Sequence, residues 1–465
     1  MAAKQRTSIS RPRVEEVIPD AARTITSLRD IGYELPQAIA DLVDNSVSAR
    51  ASTVIVDLQF DGTDSWIRIA DDGQGMDTAT LHEALRYGSM REYDSDDLGK
   101  FGFGLKTAST SQCRRVVVAS RRALEKARVE VRALDLSHIE TSNRWEILVV
   151  EPAQRPAHLV EPLQDTTGTV VLWEDLDRIL DYKDPWGAWA KRKLLEQAEA
   201  IAEHLGMVFH RFLAGKVRGR KLTILINGAR VDPWDPFCLD EPKTTQLPEH
   251  DFQVASENGV GIVHVRPFVL PDKADFSDIA AWQRASGVLK WNRQQGLYVY
   301  RANRLIQWGG WSRMRTIDEH SKLARVALDF SPNLDGAFGI NISKAIVKLP
   351  PELRDHLEPV VNQAVQIASK RYRKGGGSGN PPPAAPPNRP SPHPAPRPPP
   401  FPSPTSAPDP RGTPHGSSGS NQIGDHAARR AIETAARAAG EQEALKRIVA
   451  SLRRTSPEVA HDLGW

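Results

Sequence analysis

The stretch Asp71-Asp72-Gly73-Gln74-Gly75-Met76 decides how this chain is read. It follows Trp66–Ala70, an apolar-rich run that reads as a strand, so the two aspartates stand where a strand leaves its sheet. Glycines at the third and fifth positions let the backbone approach a flat ligand closely, and a carboxylate fixed at such a turn accepts from an exocyclic amine such as that of adenine. A plain β-turn uses the same residues. The motif therefore has to be weighed with its neighbours.

Upstream, Pro36–Arg50 carries Ile39, Leu42, Val43 and Val47 at helical spacing, with Pro36 in the first turn, where its missing N–H costs nothing. Asp41 and Asn45 lie four apart on this helix and share a face, a carboxylate and an amide suited to a water and a divalent cation. Polar pairs at this spacing are usually a solvated face. Here, however, Asp44 and Ser46 add polar density to a helix that otherwise reads as buried. Downstream, Gly99–Ser109 (GKFGFGLKTAS) is a glycine-rich loop entering a helix, where N–H groups with Lys100 and Lys106 suit phosphates. Its glycine spacing excludes a Walker A loop.

Further out the pattern is α/β. Thr53–Phe60, Arg115–Ser120, Val129–Leu134, Trp145–Val150 and Thr167–Trp173 read as strands. A second block follows a boundary placed near residue 180. It has a helical stretch from Pro185 to Leu213, the strand Lys221–Asn227, a β-rich middle and a helix from Pro351 to Tyr372.

The chain has 465 residues and two cysteines, Cys113 and Cys238, too few for a disulfide scaffold or a four-thiolate zinc site. With no run of about 18 apolar residues, the expectation is a cytoplasmic protein with no membrane association. Of 35 prolines, 17 fall between Pro381 and Pro414, a composition that cannot build a core and predicts an extended spacer. From Lys370 onward there are 14 Lys/Arg and 7 Asp/Glu. The whole chain is only +3, so everything before Lys370 carries about −4 and offers nucleic acid no net attraction.

Taken in order, the acid four before an asparagine, Asp71-x-Gly73-x-Gly75 and Gly102-x-Gly104-x-Lys106 resemble the GHKL ATPases: gyrase-type topoisomerases, heat-shock chaperones, histidine kinases and MutL. Gly168-Thr169 entering a strand fits a fourth element. The resemblance implies ATP and Mg²⁺ as ligands in a Bergerat-fold α/β domain. It assigns Asn45 to Mg²⁺, Asp71 and Thr169 to adenine, Gly73, Gly75 and Met76 to the adenine turn, and Gly102, Phe103, Gly104, Leu105 and Lys106 to the phosphates. Asp41 falls where hydrolysing members carry the glutamate that orients water. It is one methylene shorter, which implies slow hydrolysis or a closer helix.

The region beyond 180 resembles the ribosomal-protein-like βαβ transducer of MutL, gyrase and especially Morc-type ATPases. The similarity rests on Ile226–Phe237 and on Gln295–Ile306 with Gly309-Gly310-Trp311. It implies a lysine returned to the γ-phosphate, Lys344 or, second, Lys348. The resulting organisation is an arm at 1–20, an ATP-binding domain at 21–180, a transducer at 181–372, a disordered linker at 373–424 and a helical tail at 425–465. The implied activity is an ATP-dependent homodimeric clamp on DNA with a lid at Asp77–Leu98, in a restriction, phage-defence or repair setting. The Lys216–Lys221 loop is then a candidate for DNA phosphates, and the tail a dock for a nuclease or helicase. The rival is an ATP-gated chaperone or scaffold acting through protein contacts.

Overall fold

The computed structural model describes residues 15, 17–30, 32–88, 104–122, 128–257, 259–340 and 347–375, with positions 445, 446, 449, 450 and 453. The chain divides into two compact units, Met1–Pro383 and Ala384–Trp465. In the second, the described positions are helical. The first unit holds both sheets.

Its helices are α1 (Ala21–Arg29), α2 (Leu35–Ser48), α3 (Thr78–Leu85), α4 (Gly104–Thr110), α5 (Leu136–Ser142), α6 (Ala157–Val160), α7 (Ala188–Val208), α8 (His210–Leu213), α9 (Ile279–Ala285), α10 (Lys290–Gln294) and α11 (Pro351–Gly375). One sheet is built from β1 (Thr53–Gln59), β2 (Trp66–Asp71), β3 (Arg115–Arg121), β4 (Glu130–Asp135), β5 (Leu148–Val149), β6 (Gly168–Glu174), β7 (Thr223–Ile226) and β8 (Ala229–Arg230), in the order β5-β4-β3-β6-β2-β1-β7-β8. Among the described strands of this sheet, only β1 and β7 pair in parallel. The other sheet comprises β9 (Thr245–Gln246), β10 (His250–Ser256), β11 (Gly259–Val269), β12 (Gly296–Arg301), β13 (Arg304–Trp308) and β14 (Ala324–Phe330), in the order β10-β11-β14-β12-β13 with β9 beside β11. This is the mixed α/β class expected.

Side-chain alternation explains the layers. In β3, Val116 and Val118 join the core beneath the helices, while Val117 and Ala119 join a smaller cluster with Leu159 and Leu163 on the opposite face. In β12, Leu297 and Val299 pack with α11 residues such as Leu357 and Val361, and Tyr298 and Tyr300 face Met207 and Phe237. Helix α2 is enclosed by α4 and α7, with Ile39, Leu42, Val43 and Val47 all buried. Each such side chain contributes about 1.5–3 kcal/mol of burial.

Two expected elements differ. Trp145–Val150 yields only the two-residue strand β5, because Glu146 pairs with His138 of α5 at 2.8 Å and Trp145 packs on Tyr87 with ring centroids 5.3 Å apart. The strand expected to open the second block, β7, extends the first sheet: Thr53 to Val56 pair with Thr223 to Ile226. The Asn227-Gly228 turn after it has both residues at positive φ, 46° and 80°, the geometry of a tight hairpin. Asn227 also accepts the Leu58 N–H at 2.8 Å through its side chain. The change from one sheet to the other falls between Arg230 and Thr245.

Candidate functional site

The Asp71 carboxylate is built into the end of β2 from three directions. Its Oδ1 accepts the N–H groups of Gly73 at 3.0 Å and Thr169 at 3.2 Å, and its Oδ2 accepts the Ser46 hydroxyl of α2 at 2.9 Å. Burial pushes its pKa up from 3.8, against the lowering effect of these donors. Thr169 is the register partner of Asp71 across β2 and β6, so the two expected adenine residues stand side by side. The turn itself is tied down by Ser120, which accepts the Met76 N–H at 2.8 Å and donates to the Gly168 carbonyl at 2.9 Å. Gly75 sits at φ 64°, where a Cβ would come within 2.0 Å of the Arg121 carbonyl oxygen. Gly168, at φ 142°, would put a Cβ 1.8 Å from the Asp71 carbonyl oxygen. Both glycines are therefore steric requirements of the turn. Asp72, by contrast, closes the β1 start through Ser52 and the Thr53 N–H.

On α2 the four polar residues differ in burial. Asn45 is exposed, with its amide open to a cation. Asp41 is 3% and Asp44 0% exposed. Asp41 Oδ2 accepts the Tyr33 hydroxyl at 2.9 Å, and Arg304 of β13 reaches Asp44 with Nε at 2.8 Å and Asp41 with Nη2 at 3.4 Å. Burial, followed by the Asp41 carboxylate, raises the Tyr33 hydroxyl well above its ordinary pKa. An exposed amide oxygen on the helix that also holds the buried carboxylates fits a Mg²⁺ ligand set by its chemistry. No cluster of three or more His, Cys, Asp or Glu suited to a metal occurs among the described residues.

The glycine-rich loop is only partly in view: Gly102 and Phe103 lie outside the described residues, and α4 starts at Gly104. Leu105 packs against the helix-side core. Lys106 is 2% exposed, and its ammonium donates to the carbonyls of Ala84 at 3.0 Å and Arg86 at 2.7 Å, beside the Tyr87 ring. Burial, partly offset by Glu83, lowers its pKa to about 8. In this arrangement Lys106 holds the end of α3. Reaching a phosphate requires it to leave those carbonyls.

The lid expected at Asp77–Leu98 begins as an ordered helix, α3, whose Asp77 cap accepts the Thr80 N–H at 2.8 Å and whose Leu81 and Leu85 are buried. Residues 89–98 lie outside the described residues, as does Lys344. Lys348 is described and exposed, its N–H bonded to the Phe338 carbonyl at 2.8 Å. In the basic loop, Lys216 pairs with Asp235 at 3.2 Å and Arg220 donates to the Val47 carbonyl at the end of α2 at 2.7 Å. Sequence reasoning had assigned no role to Tyr33, Ser120 or Arg304. Arg304 lies 260 positions from Asp44, and no local spacing signals such a pair.

A half-buried carboxylate at a strand end, a partner threonine on the next strand and an acid-bearing helix across the turn thus stand together at one end of the first sheet. Residues 33–169 match the family model of histidine kinase-, DNA gyrase B- and HSP90-like ATPases, the GHKL type of ATPase domain. The match covers less than a third of the chain and spans α2, the Asp71 turn, α4 and the Gly168-Thr169 entry to β6. No curated protein matches the chain. No described helix is long and apolar enough to cross a membrane.

Proposed function

We propose that this protein binds ATP with Mg²⁺ at the Asp71 and α2 face and hydrolyses it slowly. The observation that carries the reading is the Asp71 carboxylate, oriented by Gly73, Thr169 and Ser46 so that its remaining lone pairs meet an exocyclic amine. Asn45 offers its exposed amide oxygen to the metal, which when bound supplies charge neutralisation at the phosphate oxygens. Asp41, held by Tyr33 and Arg304, is the acceptor that orients water on the same helix. Gly102, Phe103, Gly104, Leu105 and Lys106 surround the phosphates after Lys106 leaves α3, and Lys344 or Lys348 senses the γ-phosphate from the second block. Nucleotide-driven pairing of two chains into a clamp on DNA, in a Morc-like or MutL-like setting with a nuclease or helicase partner, completes this reading.

One observation favours a second reading, an ATP-gated scaffold acting through protein contacts. Lys216 and Arg220 of the basic loop are engaged internally, and the residues before Lys370 carry a net negative charge. A single experiment addresses both readings: ATP turnover of the wild type and Asp41→Asn, with and without duplex DNA at low and moderate salt. Asp41→Asn is expected to lower kcat by about 100-fold or more while a non-hydrolysable analogue binds within a few-fold of wild type. Equal turnover in both proteins overturns the role of Asp41, and no turnover above background in the wild type overturns the ATPase assignment. Stimulation by DNA supports the clamp, and no DNA binding at low salt supports the scaffold.

A further inference from the structure

Two carboxylates three residues apart on one helix are buried almost completely, and a single guanidinium from the other sheet meets both. Burying like charges together is costly unless they are compensated, and the planar fork of an arginine can serve two carboxylates at once. The short contact goes to Asp44 at 2.8 Å, and the longer, 3.4 Å, to Asp41. Asp44 therefore takes the closer contact with Arg304, and Asp41 the longer one. The other oxygen of Asp41 is fixed by the Tyr33 hydroxyl. We infer that Arg304 is a positioning residue for hydrolysis: from the second sheet it sets the orientation of Asp41, the water-orienting carboxylate on α2. This rests on the ATPase reading above.

The placement of Arg304 is itself determined by the fold. Ala302 and Asn303 both take positive φ, 47° and 68°, making the tight β12–β13 turn that puts Arg304 at the first position of β13, opposite Arg301. Arg301 is held in turn by Asp335 at 2.7 and 2.9 Å, both residues buried. The Phe209 ring stands 5.9 Å from the Arg304 guanidinium and helps keep water from the pair. A chain of contacts thus runs from Asp335 through Arg301 and the hairpin to Arg304 and Asp41. A side chain one methylene shorter than glutamate needs such support to keep its geometry.

The test measures kcat, KM, analogue affinity and melting temperature for the full chain and for Arg304→Gln, Arg304→Lys, Tyr33→Phe and Asp41→Asn. Arg304→Gln is expected to lower kcat roughly 100-fold, the loss typical of ångström-scale misplacement, with analogue affinity within threefold. Arg304→Lys should recover part of the rate, since it restores the charge without the planar fork. Tyr33→Phe removes only a hydroxyl and should lower kcat about 10-fold with KM unchanged, and Arg304→Lys, whose kcat should stay below wild type, decides the matter if Arg304→Gln does not fold. Wild-type kcat in folded Arg304→Gln and in Tyr33→Phe overturns the inference, as does analogue affinity falling in step with kcat. If Asp41→Asn is inactive while those variants are not, only the positioning role fails. If Asp41→Asn turns over like wild type, the water-orienting role of Asp41 in the ATPase reading fails first.

Discussion

Asp71 and Asp72 are adjacent in sequence and opposite in behaviour. Asp72 is held below its ordinary pKa because the donors from Ser52 and Thr53 outweigh its burial, whereas burial raises Asp71 despite three donors. Folded Asp71 therefore keeps its proton to higher pH than the unfolded chain does. Its contribution to stability is full below 3.8 and is lost as pH rises through the elevated folded value. Ligand binding runs the other way, since the ionised carboxylate is the better acceptor. Titration calorimetry with an ATP analogue should show affinity falling as pH drops toward the raised value. Asp71→Asn should be weak and flat across the same range, and a pH-independent wild type would contradict the assignment.

At the scale of elements, the contact between α3 and α4 is a small clamp. The last carbonyls of a helix lack intrahelical partners, and the Lys106 ammonium satisfies those of Ala84 and Arg86. The arrangement costs the lysine its hydration, so the folded state releases the proton near pH 8, while the unfolded chain holds it to about 10.5. Between those values the unfolded state binds more protons, and stability rises with pH. Melting temperatures of Lys106→Met, followed from pH 7.5 to 10.5, should lack the rise shown by the wild type. Parallel curves would mean that the ammonium is not held in this clamp.

For the molecule as a whole, the decisive contact is β7 along β1. A chain ending at residue 180 loses β7, leaves the Thr53–Gln59 edge unpaired and strips α2 of Ile201, Leu205 and Phe209, which share its core. An open edge of this kind pairs with other chains. Size exclusion and thermal melts should find residues 1–180 aggregated, and residues 1–375 folded with a cooperative transition. A soluble, cooperatively melting 1–180 would show that α7 and β7 are dispensable.

Local patterns carried much of this in advance. Period-2 apolar runs announced β1, β2, β3 and β6, and the helical spacing of Ile39, Leu42, Val43 and Val47 announced α2 to within two residues. The glycines at 73, 75 and 168 marked the Asp71 turn because their backbone geometry and close contacts leave no room for a side chain, and that requirement is written in composition. The partners of those residues were not legible. Ser46 on Asp71, Ser120 across the turn, Lys106 on α3 and Arg304 on Asp41 and Asp44 are pairings of groups 20 to 263 positions apart. Sequence spacing encodes which face of an element a residue occupies, because the period of a helix or strand is a local property. Which distant charge is brought against that face depends on how sheets and helices close on one another. The sequence by itself thus determined the α/β class and the order of the motifs. Only the tertiary structure decided that β7 belongs to the first sheet and that an arginine of the second holds the carboxylates of α2.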